Sequence, residues 1–204
     1  MIRNRRYVLA AAVFAAGFAA TTAFAQAPQT QLVRGTIEKV DGATIVVKDR
    51  SGADMTVKLA GNPTVTTLVK IALADIKPGS FIGSAAMPQP DGSQKALSVW
   101  IFPDWIKPPQ LHTPYDVQPG STMTNAIVDT TVGGVDGQVL TVKYPNGEKK
   151  IIIGPNTPLL TYERGDKADI KVGAKVLVRA AKQPDGSLTA AGVTTTRDGS
   201  LPPM

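Results

Sequence analysis

Residues 74–79 read ADIKPG, and residues 168–173 read ADIKVG, 94 positions later. Two further blocks repeat in the same order: VDG at 40–42 and again at 135–137, and QPDGS at 89–93 and again at 183–187. Three matched blocks in one order, with a single one-residue gap between the first and the second, indicate a duplicated domain. The sequence therefore predicts two copies of one fold.

The hydrophobic pattern within each copy has a period of two. Met55, Val57 and Leu59 alternate with the polar residues Thr56 and Lys58. This alternation is typical of a half-buried β-strand, whose successive side chains point to opposite faces of the sheet. The second copy has corresponding runs at 139–144 and 150–153. Both copies are therefore expected to be built from strands.

Turn residues separate these runs. Pro145-Asn146-Gly147 predicts a two-residue hairpin turn of type I′, because Asn and Gly tolerate positive φ. Gly79 and Gly173 are expected to take the left-handed position after a short helix or 3₁₀ turn. Five Asp-Gly pairs lie at 41–42, 91–92, 136–137, 185–186 and 198–199. These pairs are expected to form hairpin turns and not calcium loops, since the spaced acidic ligands of an EF-hand are missing.

The order of elements in each copy is strand, strand, strand, short helix, strand, strand. This is the order of an OB-fold barrel, a five-stranded Greek key. The sequence therefore predicts an all-β protein with two tandem, small, antiparallel OB-like barrels. The first barrel is expected at 33–103 and the second at 121–197, with a connector at 104–120 and a tail at 198–204.

Longer stretches of both copies resemble a known family. GTIEKVDGATIVVKD, ADIKPGSFI and PDGSQKALSV in the first copy, and DTTVGGVDGQVLTVKY, ADIKVGAKV and PDGSLTAAGV in the second, are similar to a bacterial domain-of-unknown-function family of exported small β-barrels. The resemblance covers nearly all of the chain after the first 25 residues. Its motifs are turns and core positions, so it implies an exported barrel and supplies no catalytic residue.

The first 25 residues have the composition of an export signal. Arginines at positions 3, 5 and 6 precede an uncharged apolar run at 8–20, and Ala23-Phe24-Ala25 offers a small-x-small cleavage site. We expect cleavage after Ala25 and a periplasmic location. The run is too short for a membrane span. The arginine pair also resembles a twin-arginine signal, so the export route stays open between that pathway and the general one.

Composition excludes several classes of function. The chain has no cysteine, which excludes disulfides, thiol redox chemistry and thiolate metal sites. The formal net charge of +6 includes the three signal arginines, and the remaining charges are scattered singly, with no run of Lys or Arg beyond Lys149-Lys150. A nucleic-acid binder would need a basic stripe, so no nucleic-acid partner is expected. No other segment is apolar enough for stable membrane insertion after the signal is removed.

His112 is the only histidine of the chain. With Ser121 nearby it could suggest a hydrolytic triad, but there is no Gly-x-Ser-x-Gly elbow and no second base. With Asp116 and Met123 it could form a copper-like metal site, since histidine and methionine ligands suit copper better than zinc. The sequence therefore predicts no catalytic residue and no cofactor, and leaves these three residues as candidate metal ligands.

The connector region concentrates aromatic residues. Trp100, Phe102, Trp105 and Tyr115 lie within 16 positions that also hold His112, among several prolines. Two interpretations stay open: these aromatic side chains join the two barrels, or they form an exposed surface for a ligand or partner.

The leading hypothesis is a non-enzymatic binding or interaction module of the cell envelope. Its partner would be an unknown envelope protein or a small ligand. The expected binding surface is formed by Trp100, Phe102, Trp105, His112 and Tyr115. The alternative hypothesis is a periplasmic metal-binding protein that uses His112 with Met123 or Asp116.

Overall fold

The computed structural model describes residues 29–134 and 137–202. The expected signal peptide and its cleavage site, and Val135-Asp136 of the repeated block, lie outside the described residues. Within the described ranges no helix is long and apolar enough to cross a membrane. The described residues form twelve strands: β1 Thr30–Asp41, β2 Thr44–Asp49, β3 Asp54–Lys70, β4 Phe81–Pro88, β5 Gln94–Ile101, β6 Leu111–Pro114, β7 Thr122–Gly134, β8 Gly137–Tyr144, β9 Gly147–Ile153, β10 Leu159–Arg164, β11 Lys175–Lys182 and β12 Leu188–Thr196.

The alternating pattern becomes alternating burial, as expected for strands that wrap around a core. In β3, Val57 and Leu59 are buried while Thr56 and Lys58 are exposed. Short 3₁₀ turns at Leu73–Asp75 and Lys167–Asp169 are the only helical elements of the described chain. The all-β fold class is therefore confirmed. The first repeat has the expected order of strands and 3₁₀ turn, whereas in the second repeat a fourth strand, β10, precedes the 3₁₀ turn.

The first barrel consists of β1, β2, β3, β12 and β11. Its strands pair in that order, and an antiparallel ladder between β11 and β1 closes the ring. The pairing of β3 with β12 is parallel, with Val57 opposite Leu188. Side chains from all five strands fill the interior, among them Ile37, Val57 and Val178.

The second barrel consists of β4, β5, β9, β8 and β7. An antiparallel ladder joins β4 to β7, and a short parallel pairing of β5 with β9 closes the ring, with Gln94 opposite Ile151. Its core includes Val99, Leu140 and Ile151. The small closed β-barrel predicted from the sequence is thus present.

The strand pairing differs from the expected tandem arrangement. The segment 33–103 supplies β1–β3 to the first barrel and β4 and β5 to the second, and the segment 121–197 supplies the complementary strands. These two segments therefore do not enclose separate barrels. Local alternation and turn residues specify where strands lie but not which of two equivalent partners a strand takes.

Two crossing strands carry the chain between the barrels. β3 continues for 17 residues to Lys70, a length of about 56 Å, and β10 brings the chain back beside it in the antiparallel direction. In this ladder Tyr162 lies opposite Leu68, and these two positions are 94 apart, the repeat separation itself. A pseudo-twofold axis therefore passes through the Leu68–Tyr162 pair.

The turns follow the sequence in most places. Gly79 and Gly173 have φ values of 87° and 85° after the two 3₁₀ turns, which confirms the expected left-handed positions. The β8–β9 hairpin differs, because its two loop residues are Pro145 and Asn146, closed by the pair Tyr144–Gly147. Proline fixes φ near −65°, so this turn is not of type I′.

The Asp-Gly-Ser turns use their own carboxylates. Asp91 accepts hydrogen bonds from the backbone N–H and the hydroxyl of Ser93, at 3.0 and 2.6 Å. Asp185 accepts the same pair from Ser187, at 2.9 and 2.7 Å. These two turns join β4 to β5 and β11 to β12. The carboxylate oxygens of Asp91 and Asp185 therefore stabilise hairpin turns through hydrogen bonds within the turn.

Candidate functional site

A cleft of about 880 Å³ lies where the two barrels meet. One wall comes from β5, β6 and β7 and carries Trp100 and Met123, and the other comes from β3, β11 and β12 and includes Val193 and Thr194. The neighbouring cluster of buried residues, with Leu68, Trp100 and Leu160 among its members, joins the barrels beneath it. The cleft exists because the crossing strands hold two closed barrels side by side.

A row of residues across four adjacent strands lies beneath the cleft, and three of them, Trp100, Asn125 and Leu111, line it. Trp100 on β5 lies opposite Gly83 on β4, Gly83 lies opposite Asn125 on β7, and Asn125 lies opposite Leu111 on β6. A Cβ atom at Gly83 would lie 2.9 Å from the ring of Phe102. The missing side chain therefore lets that ring lie directly on the sheet.

Phe102 is the centre of an aromatic group beside this row. Its ring centroid lies 5.2 Å from that of Phe81 and 5.7 Å from that of Tyr162, and the second pair is stacked. Burial is the largest effect on Tyr162 and raises the pKa of its phenol. Trp100 and Phe102 both line the cleft, as their spacing of two along the strand predicts.

Trp100 and Trp105 have different surroundings. Trp100 is fully buried and packs in the cluster between the barrels. Trp105 is 40% exposed, and the guanidinium of Arg164 lies 4.8 Å from its ring centroid. A turn closed by the hydrogen bond from Ile106 N–H to the Pro103 carbonyl, 2.8 Å long, places Ile106 in the lining and leaves Trp105 outside it.

Tyr115 is held in the cleft wall by a contact between the connector and the first barrel. Arg34, 4% exposed, donates two hydrogen bonds to Asp116 at 2.9 and 3.0 Å and one to the Tyr115 hydroxyl at 3.2 Å. Hydrogen bonding from Arg34 lowers the pKa of Asp116, and burial raises the pKa of Tyr115. Asp116 therefore anchors the connector.

His112 faces away from the cleft. Its Nδ1 lies 2.8 Å from Thr124 Oγ1, and its ring stacks on Tyr144 at 6.1 Å. Burial, together with the charge of Lys149, lowers the pKa of its imidazole. Its neighbours Leu111 and Thr113 line the cleft, and alternate residues of a strand point to opposite faces.

The three candidate metal ligands are not brought together. Met123 lies opposite Thr113 on the cleft face, His112 points to the other face, and Asp116 is engaged by Arg34. Within the described ranges there is also no group of three or more His, Cys, Asp or Glu side chains that could hold a metal ion. The geometry therefore adds nothing in favour of the metal-binding alternative.

Of the five residues expected to form a binding surface, the cleft contains Trp100, Phe102 and Tyr115. It also contains Asn125 and Arg179, which sequence reasoning missed. Leu177 and Arg179 are two positions apart on β11, and this spacing indicates that their side chains lie on the same face of the strand. Their approach to Trp100 could not be foreseen, because it depends on the exchange of strands between the barrels.

Buried polar atoms without a partner cluster on the cleft side of the second barrel. Among the described residues, three such atoms lie here, Trp100 Nε1, Ser98 Oγ and Asn125 Oδ1, and two others, Arg34 Nε and Ser84 Oγ, lie elsewhere. The first three residues belong to β5 and β7, and Trp100 and Ser98 share a face because they are two positions apart. Buried polar groups are normally hydrogen-bonded, so this wall has unused hydrogen-bonding capacity.

Part of the chain is similar to a known protein family. The chain matches no curated protein and no solved structure. Residues 131–194, from the end of β7 to β12, match the family model described as Domain of unknown function (DUF5666). This segment supplies strands to both barrels. The second half of the chain is therefore similar to a family of unknown function, in line with the resemblance found in its motifs.

Proposed function

We propose that this protein is a non-enzymatic, exported binding module of the cell envelope, and that the cleft between its barrels is the ligand site. The observation that carries the proposal is the cleft itself. Its volume of about 880 Å³ falls within the range of small-molecule sites, about 300 to 1,000 Å³. Such sites are mostly apolar with a few polar groups, and this lining combines aromatic side chains with Asn125 and several threonines.

The chemistry of the lining supports binding over catalysis. Among the described residues that line the cleft there is no aspartate, glutamate or histidine. Histidine and carboxylate side chains are the commonest general acids and bases, whereas the two tyrosines of the lining, Tyr115 and Tyr162, have phenol pKa values that burial raises further above neutral pH. His112 lies on the opposite face of β6 and is bonded to Thr124.

The proposal includes an OB-like architecture for each barrel and descent from a tandem duplication. Five strands, one parallel closing pair and a short 3₁₀ turn before the fourth strand support the OB-like assignment. The repeat separation shared by the Leu68–Tyr162 pair supports duplication. Export to the periplasm rests on the signal-like composition of residues 1–25.

Trp100 makes the proposal testable by fluorescence. The chain has two tryptophans, and a Trp105→Phe variant leaves Trp100 as the reporter in the cleft lining. We would titrate this variant with fractionated periplasmic extract, follow Trp100 emission, and identify retained species by native mass spectrometry. We expect a fraction that shifts the emission and carries a bound species.

The matched control fills the cleft. Ala191 is exposed and lines the opposite wall, so Ala191→Phe in the Trp105→Phe background narrows the site without touching the barrel cores. The emission shift and the bound species should both be lost in this variant. A fraction that acts equally on both proteins, or no active fraction at all, would contradict the proposed function.

A further inference from the structure

We infer that the cleft takes an amphipathic anion, an apolar body carrying one carboxylate, sulfonate or similar group that pairs with Arg179. This inference rests on the proposed function of the cleft and adds the class of its ligand. It comes from the distribution of charge around the site, which is one-sided.

Arg179 is the cation available to a ligand. It lies on β11, two positions after the buried Leu177, and both residues line the cleft. Its side chain is exposed, and within the described part of the chain no salt bridge or side-chain hydrogen bond is found for it. Its charge opposes the effect of burial on the pKa of Tyr115 and of Tyr162, which places it near both phenols.

The rest of the lining leaves this charge uncompensated. The second cation of the lining, Lys107, has Asp104 at 3.7 Å, and both side chains are largely exposed. No carboxylate occurs among the described lining residues. An arginine at the edge of an apolar surface binds an anion more strongly than one in water, because charge-assisted hydrogen bonds strengthen as water is excluded.

The walls select for an apolar body next to that anion. Phe102, Tyr162, Leu111 and Met123 present ring faces and aliphatic surface. An extended peptide that pairs with the free edge of β6 fits less well, because Pro114 lacks the N–H that such pairing needs, and Pro108 and Pro109 precede the strand. A compact amphipathic molecule satisfies both features of the cleft.

Two matched probes test the inference on the full mature chain. One is 8-anilinonaphthalene-1-sulfonate, an aromatic monoanion, and the other is N-phenyl-1-naphthylamine, the same body without the sulfonate. Both report binding by their own fluorescence, and the Trp105→Phe background also reports it through Trp100. We expect both probes to bind, and the anion to bind more tightly than the neutral amine.

Arg179→Gln should lower the affinity for the anionic probe by on the order of tenfold, since a hydrogen bond to a charged group is lost. It should leave the neutral probe unchanged. Lys182→Gln is the matched control, because it removes an exposed positive charge from the same strand outside the cleft. A thermal melt of each variant shows whether the fold is intact.

The outcomes separate the inference from the proposed function. If both probes bind the protein and lose binding in the Ala191→Phe variant, the cleft is a binding site. If Arg179→Gln then changes the affinity for neither probe, the anion preference of the cleft is refuted. If Lys182→Gln weakens the anion as much as Arg179→Gln does, the effect is general electrostatics and the inference also fails. If neither probe binds and Trp100 emission does not change, the inference is refuted as well; the proposed function then depends on its own test with periplasmic extract.

Discussion

Replacing Asp116 by asparagine should loosen the connector from the first barrel. The carboxylate accepts two hydrogen bonds from Arg34, at 2.9 and 3.0 Å, and lies beside Tyr115, which accepts a third from the same guanidinium. The Arg34 side chain is 3% exposed and that of Asp116 is 56% exposed. Asp116→Asn leaves a buried cation whose Nε already lacks a hydrogen-bond partner.

The expected loss of stability follows from this unequal burial. Removing one partner of a fully buried ion pair costs about 3 to 5 kcal/mol, whereas an exposed pair contributes about 0 to 1 kcal/mol. Asp116 keeps contact with water and Tyr115 still binds Arg34, so we expect a loss of about 2 kcal/mol. Urea denaturation at pH 7, followed by circular dichroism, measures it.

The pH dependence gives a second check. Hydrogen bonding from Arg34 lowers the pKa of Asp116 in the folded state. A carboxyl group with a lowered folded pKa adds stability that is fully present above its unfolded value, about 3.9, and is lost as the pH falls through the lower folded value. The stability of the wild-type protein and of Asp116→Asn should therefore differ at pH 7 and converge as the pH falls through the lowered folded pKa of Asp116.

Asp54→Asn is the matched control for this experiment. Asp54 pairs with Lys48 at 3.1 Å, but both side chains are substantially exposed. We expect little change of stability in this variant at any pH. Equal losses in Asp116→Asn and Asp54→Asn, or a difference from wild type that persists unchanged at low pH, would refute the assigned role of the Arg34–Asp116 contact.

Three further predictions concern the backbone, the exchange of strands and the two tryptophans. Gly173→Val should lower stability by about 1 to 2 kcal/mol, because the φ of 85° at this position strains a β-branched residue. Gly61→Val should leave stability unchanged, because Gly61 lies in open space at ordinary φ. Thermal melts that show equal losses for the two variants would contradict this prediction. Residues 121–197 alone should form a homodimer, since each copy would supply the strands that the other lacks, and light scattering that shows a folded monomer would argue against the exchange. Iodide should quench Trp105, which is 40% exposed, and spare the buried Trp100; equal quenching in the two single-tryptophan variants would contradict their placement.

Much of the local structure could be predicted from the sequence. The period-two pattern around Val57 placed a strand, and Gly79 and Gly173 took the positive φ expected after a short turn. The hairpin at Pro145-Asn146-Gly147 was placed correctly but assigned the wrong turn type, because proline at the first loop position excludes type I′. Such features depend on a few neighbouring residues, so their signals lie within short windows.

The candidate site could be predicted only in part. Trp100, Phe102 and Tyr115 were identified because aromatic residues concentrate around the connector, and the cleft contains all three. Trp105 and His112 were included on the same ground but lie outside the cleft lining, one turned away by the bend at Pro103 and the other on the opposite face of β6. Concentration along the chain does not determine the face on which a side chain emerges.

By itself the sequence determined most of the strands, the positions of most turns and the presence of repeated motifs. Only the tertiary structure decided that β3 closes a barrel with β12, and that β5 closes the other with β9. The repeats carry nearly the same pattern, so a strand from either copy satisfies the same local rules. Pairing within a copy and pairing across copies are therefore indistinguishable in sequence. At the crossing strands β3 and β10 the chain passes from one barrel to the other, so each half of the chain supplies strands to both barrels. This exchange of strands brings Arg179 to the cleft that holds Trp100.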